Sequence, residues 1–243
     1  MSFAAREWEF RARFWLIAAI YWIGFFLYAF DHFNVCAAVA RRFFRQGPDP
    51  SAAINHAITG LFAAGTVLAI LGAAVRTWAG AYLHSSIIHD AALHGEQLVA
   101  DGPYRHLRNP LYLGNILLAI GVGVLASRTG FAVIALGMPI FLYRLILREE
   151  MTLLASQADS YRRYCQAVPR LWPSITPRIP SGGARPNWAD GFSGELFMWA
   201  AAAAMIVFTI TQSIAYFWIV FGSGLAVYFL QNFLRVRAKK SAA

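Results

Sequence analysis

Charge is scarce in this chain of 243 residues, and acid is scarcer than base: 12 Asp and Glu stand against 21 Lys and Arg. Charged side chains fill 14% of the positions, where an ordinary soluble domain has about 25%. Apolar residues fill 58%, and the mean hydropathy is +0.50. A water-soluble fold of this length would leave too much apolar surface in solvent, which sets the soluble classes aside. Cysteine is nearly missing. Cys36 and Cys165 are too few for a disulfide framework, and Cys36 reads as a small apolar filler. The first apolar run lacks a small-residue cleavage site, so no cleavable leader is expected. His84, His89, His94 and His106 are spaced five, five and twelve apart. That fits no helical i, i+4 ligand pair, and no metal is expected. No nucleophile elbow or Ser-His-Asp arrangement is present, which leaves hydrolysis without support.

What the chain does have is long apolar runs. At about 20 residues per crossing, spans are expected over 14–30 and 58–75. Two more are expected between Leu111 and Leu147, where Ser127-Arg-Thr-Gly130 marks a tight turn. The stretch 196–234 carries Thr211-Gln-Ser213 near its middle. As one helix it would be about 55–60 Å long, nearly twice the hydrocarbon core, so it is expected to fold back as a hairpin. The sum is an all-α integral membrane protein of about six transmembrane helices.

Basic residues orient those spans. With the N-terminus in the cytoplasm, 17 of the 21 Lys and Arg fall on that side, a positive-inside pattern. Only Arg41, Arg42, Arg45 and Arg128 fall on the other. Anionic headgroups account for the net charge of +9, and without a compact basic module no nucleic-acid partner is expected. Both termini and two long loops, 76–110 and 148–194, then share the cytoplasmic face. Residues 1–75 read as N-terminal helices and 76–180 as the functional core. Residues 181–243 read as a flexible linker, at 181–188, followed by an accessory helix pair for packing or lipid contact.

Polar, tightly turned sequence between membrane helices is costly unless it lines a site. The stretch Asp101-Gly-Pro-Tyr-Arg-His-Leu-Arg-Asn-Pro-Leu-Tyr-Leu-Gly114 is of that kind, and the pair Glu149-Glu150 follows the next apolar run. Pro110 suits the first turn of a helix, with Asn109 as its N-cap. Tyr104 and Tyr112 flank the turn. Adjacent helical residues point about 100° apart, so one of the two glutamates should face the site. Gly114 and Gly121 share a helix face, for close packing or for room.

These motifs resemble the isoprenylcysteine carboxyl methyltransferase family and its phospholipid methyltransferase relatives. The likeness rests on Gly102-Pro-Tyr-Arg-His-Leu-Arg-Asn-Pro-Leu-Tyr-Leu-Gly114, Arg76-Thr-Trp-Ala79, Glu149-Glu-Met-Thr-Leu-Leu, Tyr161-Arg-Arg-Tyr164 and Val168-Pro-Arg-Leu-Trp-Pro173, in order over about residues 70–174. The resemblance implies S-adenosyl-L-methionine bound at the cytoplasmic end of a helical bundle, and methyl transfer to a lipophilic acceptor entering from the bilayer, most like a prenylcysteine carboxylate. It implies cofactor contacts at Glu96, Gln97, Leu98 and Val99, at Tyr104, at Asn109, Pro110, Leu111 and Tyr112, and at Glu149. Catalytic roles are expected for Arg144, Arg148 and Glu150, either arginine being able to hold an acceptor carboxylate. Three positions depart from the family pattern. Asn109 stands where His is commonest, Glu96 replaces a frequent His, and Leu145 replaces an Arg. A phospholipid amine and a small thiol are the other acceptors considered. Membrane sterol-type reductases, which use NADPH, share the Arg-His/Asn-Pro-x-Tyr-x-Gly segment and form an alternative enzyme class. A non-enzymatic membrane scaffold is the third reading.

Overall fold

The computed structural model describes residues 3–46, 49–92 and 101–241. Nine α-helices occur among them: α1 (Glu7–Arg11), α2 (Arg13–Phe26), α3 (Val35–Phe43), α4 (Pro50–Ala92), α5 (Pro110–Gly123), α6 (Arg128–Ala167), α7 (Trp188–Gly194), α8 (Leu196–Thr211) and α9 (Ile214–Ser241). Short 3-10 turns cover Leu27–Ala29 and Gly102–Arg105. The described residues form no sheet, only an isolated bridge between Asn34 and Ser127.

Where six spans were expected, three helices among the described residues have the length and apolarity to cross a bilayer: Pro50–Leu83, Arg128–Ser156 and Ile214–Arg235. A fourth crossing results if α7 and α8, bent by 65° at their junction, act as one. Two further apolar helices, Arg13–Ala29 and Pro110–Gly123, are shorter than the about 20 residues a crossing takes. Two boundaries also move. The loop expected at 76–110 begins as helix, because α4 continues to Ala92. The loop expected at 148–194 begins as helix too, because α6 continues to Ala167. The residues beyond Val75 are more polar, but they include no proline until Pro103. Polarity ends a membrane crossing without ending a helix. The division drawn between residues 75 and 76 therefore falls inside one helix of 43 residues.

The α4–α5 contact is made by glycines. A Cβ on Gly72 would lie 2.6 Å from the Gly114 carbonyl oxygen and 2.9 Å from the Leu118 nitrogen. On Gly121 it would lie 2.5 Å from the Gly65 oxygen and 2.7 Å from the Ala69 nitrogen. The two backbones touch, as small residues permit in a membrane. Of the two uses open to Gly114 and Gly121, packing is the one found. Around this seam, Phe62, Ala69, Ala73 and Leu118 meet Ala201, Ala204 and Met205 of α8. On the other side of α5, Ala119 packs with Ile134, Met138, Leu142 and Leu145 of α6, and with Ile17 and Ile20 of α2.

The two turns opposite the proposed cytoplasmic face are closed by specific bonds. Ser127 caps α6, accepting from Gly130 N at 3.1 Å, and this is the turn expected at 127–130. Asn34 caps α3 by accepting from Cys36 N at 2.9 Å. Its amide donates to the Val124 and Ala126 carbonyls at 3.0 and 3.1 Å. Asp31 accepts from Arg128 Nη2 at 2.9 Å and from Thr129 N at 3.0 Å. The hairpin expected near 211–213 is present: Gln212, at φ +52°, ends α8 and α9 follows at Ile214.

Two outcomes test this packing. Gly121→Ala should destabilise the detergent-purified chain by about 1–3 kcal/mol through overpacking against backbone that cannot yield, read as a lowered melting temperature. The bonds from Arg128, then from Thr129 N, depress the Asp31 carboxyl to about 2, below the ~3.9 of an unfolded Asp. A depressed folded value gives stabilisation that is complete above the unfolded value and disappears as pH falls through the folded one. The gap in melting temperature between the parent and Asp31→Asn should hold steady above about pH 5 and narrow from about pH 4 to pH 2.

Candidate functional site

The turn from Asp101 to Tyr112 is shaped by its own sequence. Gly102 adopts φ +57°, and a Cβ there would meet the Tyr82 ring, its Cγ at 2.8 Å, so both backbone sign and space demand glycine. Pro110 begins α5 as expected, and Asn109 precedes it at the N-cap position. The Asn109 side chain does not cap. It points away from the helix and donates to Glu150 Oε1 at 3.3 Å and to the Arg170 carbonyl at 3.2 Å.

Glu150 is the centre of this arrangement. It is buried, and it pairs with Arg108 Nε at 3.3 Å and with Arg170 Nη2 at 2.8 Å. Arg170 also donates to the Tyr143 hydroxyl at 2.7 Å and lies over that ring; the hydrogen bond it donates to Glu150 holds its guanidinium even more firmly charged than usual. Arg108 Nη1 reaches the Cys165 carbonyl at 3.2 Å. A straight helix would separate residues 150 and 165 by about 22 Å, yet one guanidinium touches both, so α6 bends between them. The bent end brings Tyr164 to the turn, its hydroxyl donating to the Tyr104 carbonyl at 2.8 Å. Glu150, expected among the catalytic groups, has both oxygens engaged by the protein.

Glu149 points the other way and accepts from the Tyr112 hydroxyl at 2.7 Å. The acidic pair therefore points in two directions, Glu149 to Tyr112 and Glu150 to Arg108 and Arg170. Arg144 and Arg148, expected to hold an acceptor, are instead taken by the N-terminal segment. Arg144 binds Glu9 through both terminal nitrogens, at 2.7 and 2.8 Å. Arg148 pairs with Glu7 and donates to the Ala5 carbonyl at 3.2 Å. A hydrogen bond from Arg6 N, and then the one from Arg144, keep the Glu9 carboxyl below its ordinary range. Leu145, where the family carries Arg, is wholly buried in the apolar core.

Several functional neighbours were not foreseen. Arg76, part of the Arg-x-Trp-Ala element, donates to Glu195 at 2.6 and 2.8 Å, to Asn115 Oδ1 at 3.1 Å and to the Leu111 carbonyl at 3.4 Å. Glu195 stands at the entrance of the hairpin that was read as accessory. A second tie, Trp199 Nε1 to Thr77 Oγ1 at 2.9 Å, joins the same elements. The stretch 181–188, read as a flexible linker, is held by Asp101, which accepts from Ser181 Oγ, Gly182 N and Ala184 N at 2.6, 3.0 and 2.9 Å. Only the run of three small residues, Ser-Gly-Gly, hinted that the backbone there would approach a carboxylate closely. Nothing in the sequence pointed to Glu195, or to the partners that Asp101 holds.

Tyr104 carries the clearest mark of an incomplete site. Its hydroxyl is buried and has no hydrogen-bond partner among the described residues. It lies within electrostatic reach of Arg76, Glu195 and Glu149, and burial pushes its phenol well above the ordinary range, so it remains a donor. An unsatisfied buried hydroxyl costs about 1–3 kcal/mol, which a bound acceptor atom removes. Of the expected cofactor residues, the structure gathers Tyr104, Asn109, Pro110, Leu111, Tyr112 and Glu149 around the first turn of α5 and the middle of α6. Glu96, Gln97, Leu98 and Val99 lie outside the described residues. Among those residues, no group of three or more His, Cys, Asp or Glu is placed to hold a metal ion.

Residues 64–156 match the model of the isoprenylcysteine carboxyl methyltransferase (ICMT) family. The likeness read from the motifs is thereby shown over the segment holding Arg76, the 101–112 turn and the acidic pair. Over 113 residues the chain is 29% identical to the cobalt-zinc-cadmium resistance protein CzcN of Cupriavidus metallidurans, covering 46% of this chain and 47% of that protein. It is 27% identical, also over 113 residues, to the nickel-cobalt-cadmium resistance protein NccN of Alcaligenes xylosoxydans xylosoxydans, covering 46% and 48%. The match thus spans about half the length of the curated relatives. No solved structure matches the chain.

The Glu150 cluster yields a stability test. Glu150→Ala leaves Arg108, with only 8% of its side chain exposed, as an uncompensated buried charge, and should cost about 3–5 kcal/mol. Thermal unfolding should show a drop several times larger than that of Arg162→Ala, which breaks the exposed pair with Asp159 worth about 0–1 kcal/mol.

Proposed function

We propose that this chain is an integral-membrane methyltransferase that uses S-adenosyl-L-methionine to methylate a lipophilic acceptor, most like a prenylcysteine carboxylate. The observation that carries this reading is the convergence of the 101–112 turn on the acidic pair within the family-matched segment, with Tyr112 bonded to Glu149 at 2.7 Å. The positive-inside bias puts this end of the helices, and both termini, in the cytoplasm. The six apolar helical stretches then act as six crossings, the short α2 and α5 being accommodated by local thinning of the bilayer.

The residues present fit the cofactor. Among the described residues the Tyr104 hydroxyl has no partner and offers a buried donor, and Glu149 has one side-chain donor on one of its oxygens, leaving capacity for ribose hydroxyls or a positive charge. When bound, S-adenosylmethionine supplies an electrophilic methyl group on a sulfonium. The chain's own part is alignment. Glu150, Arg170 and Asn109 fix the turn, Tyr112 orients the Glu149 carboxylate, and the Arg76–Glu195 pair holds the first turn of α5. Rate then comes from positioning and exclusion of water, and a carboxylate acceptor needs no base. The reductase reading gains no support, because Arg76, Arg108 and Arg170 are each engaged by a carboxylate and are not an open phosphate pocket. The relatives' names connect them with metal resistance. That bears on the setting in which the chain works, while the site's geometry bears on the bond it makes.

Tyr104→Phe provides a two-sided test. Removing an unsatisfied hydroxyl should leave the ligand-free chain as stable or more so, while weakening binding of S-adenosylhomocysteine by about tenfold. Glu149→Ala should abolish methyl transfer from labelled S-adenosylmethionine to S-prenylcysteine, phospholipid and thiol acceptors alike. Unchanged affinity and turnover in both variants would remove this assignment.

A further inference from the structure

The guanidinium groups around the acidic pair are not equivalent. Arg108 and Arg170 are engaged by Glu150, Arg144 by Glu9, Arg148 by Glu7 and Arg76 by Glu195. Arg13 differs from all of them. No carboxylate among the described residues lies within ion-pair distance of it. Its Nη1 donates to the Phe10 carbonyl at 3.1 Å, and its guanidinium lies over the rings of Phe10 and Phe14, 4.5 and 5.0 Å from their centroids. Arg13 opens α2, and Phe10 and the first turns of α2 pack in one cluster with Tyr112 of α5 and Leu145 of α6. Phe10, whose ring Arg13 covers, thus shares a cluster with Tyr112, the partner of Glu149. Beside it the outer face of α2 is apolar and bare, with Phe14 72% and Trp15 80% exposed. A cation at the site's edge that leads onto an apolar helix face has the shape of a receptor for a lipophilic anion.

We propose that Arg13 binds the anionic head of the acceptor, a carboxylate on an apolar chain, which enters along α2 and is presented to the space beside Tyr112 and Glu149. The choice of a carboxylate rests on the methyl-transfer reading. Arg13 then takes the role that the sequence suggested for Arg144 and Arg148, whose partners are internal. The guanidinium fork matches a carboxylate in two parallel bonds, and the two rings hold it in place. The phosphate of a resident lipid presents related chemistry, so the test must separate the two.

The full chain in neutral detergent is treated with phenylglyoxal, which adds to accessible guanidinium groups, and the modified arginines are located by peptide mass spectrometry. Arg13 should react ahead of Arg76, Arg108, Arg144 and Arg170. N-acetyl-S-farnesylcysteine should slow the reaction at Arg13 by about tenfold or more, the range of a charge-assisted bond. Its methyl ester and lysophosphatidylglycerol should not. Equal protection by the ester, or by the lysolipid, would overturn the proposal, and so would protection at Arg144 or Arg148 in place of Arg13. In a second arm, Arg13→Gln should raise the KM for the farnesylated carboxylate by about tenfold with S-adenosylhomocysteine affinity unchanged; an unaltered KM also overturns it. Protection of Arg13 without formation of any methyl ester would defeat the methyl-transfer reading and leave this binding site standing.

Discussion

One buried carboxylate governs the geometry around the first turn of α5. Glu150 is placed where an unpaired charge is untenable, and three partners from two separate parts of the chain meet it: Arg108 and Asn109 from the turn before α5, and Arg170 from the segment after α6. Because these partners neighbour the candidate site residues, satisfying one charge also sets the spacing of Tyr104, Tyr112 and Glu149. Each substitution in the cluster is therefore felt at the site. The acidic pair thus has two separate duties: Glu150 holds the frame, and Glu149, bonded to Tyr112, is the carboxylate proposed for the ligand.

The glycine seam is the complementary constraint. It lets α4 and α5 approach until their backbones touch, which brings Arg76 against the first turn of α5. From there Arg76 reaches both α5 and the entrance of the C-terminal hairpin. The family-matched segment and the stretch beyond it are thus one working unit, with Glu195 contributed from outside the match. Internal ion pairing has a chemical consequence as well. With Arg76, Arg108, Arg144, Arg148 and Arg170 each matched to a carboxylate, the groups proposed for ligands are, among the described residues, the Tyr104 hydroxyl, the Glu149 carboxylate and the cation of Arg13.

Much of this was legible in the sequence wherever the signal is local. Apolar runs gave the membrane class, Ser127 and Gly130 the turn before α6, Gln212 the neighbourhood of the hairpin break, and Pro110 the start of α5. The convergence of the turn on the acidic pair was legible through motif order. Helix ends were not, because α4 and α6 continue past the point where polarity ends an apolar span. The fate of Arg144 and Arg148 was not legible either, since Glu9 and Glu7 lie about 140 residues earlier in the chain and no periodicity links them. The same distance in sequence hid Glu195 from Arg76. Asn109 was read correctly as to position and wrongly as to partner: a good capping residue was drawn away by a stronger, charged acceptor.

What binds beside Tyr104 and Glu149 decides the chemistry of this chain. The most direct measurement is calorimetric titration of the detergent-purified chain, shown to be folded, with S-adenosylmethionine and S-adenosylhomocysteine, and with NADPH in parallel. Saturable binding of the two sulfur compounds, with NADPH silent, is the predicted result. Binding of NADPH alone would contradict the account and move the chain to the reductase class, and binding of none would leave a membrane scaffold in its place.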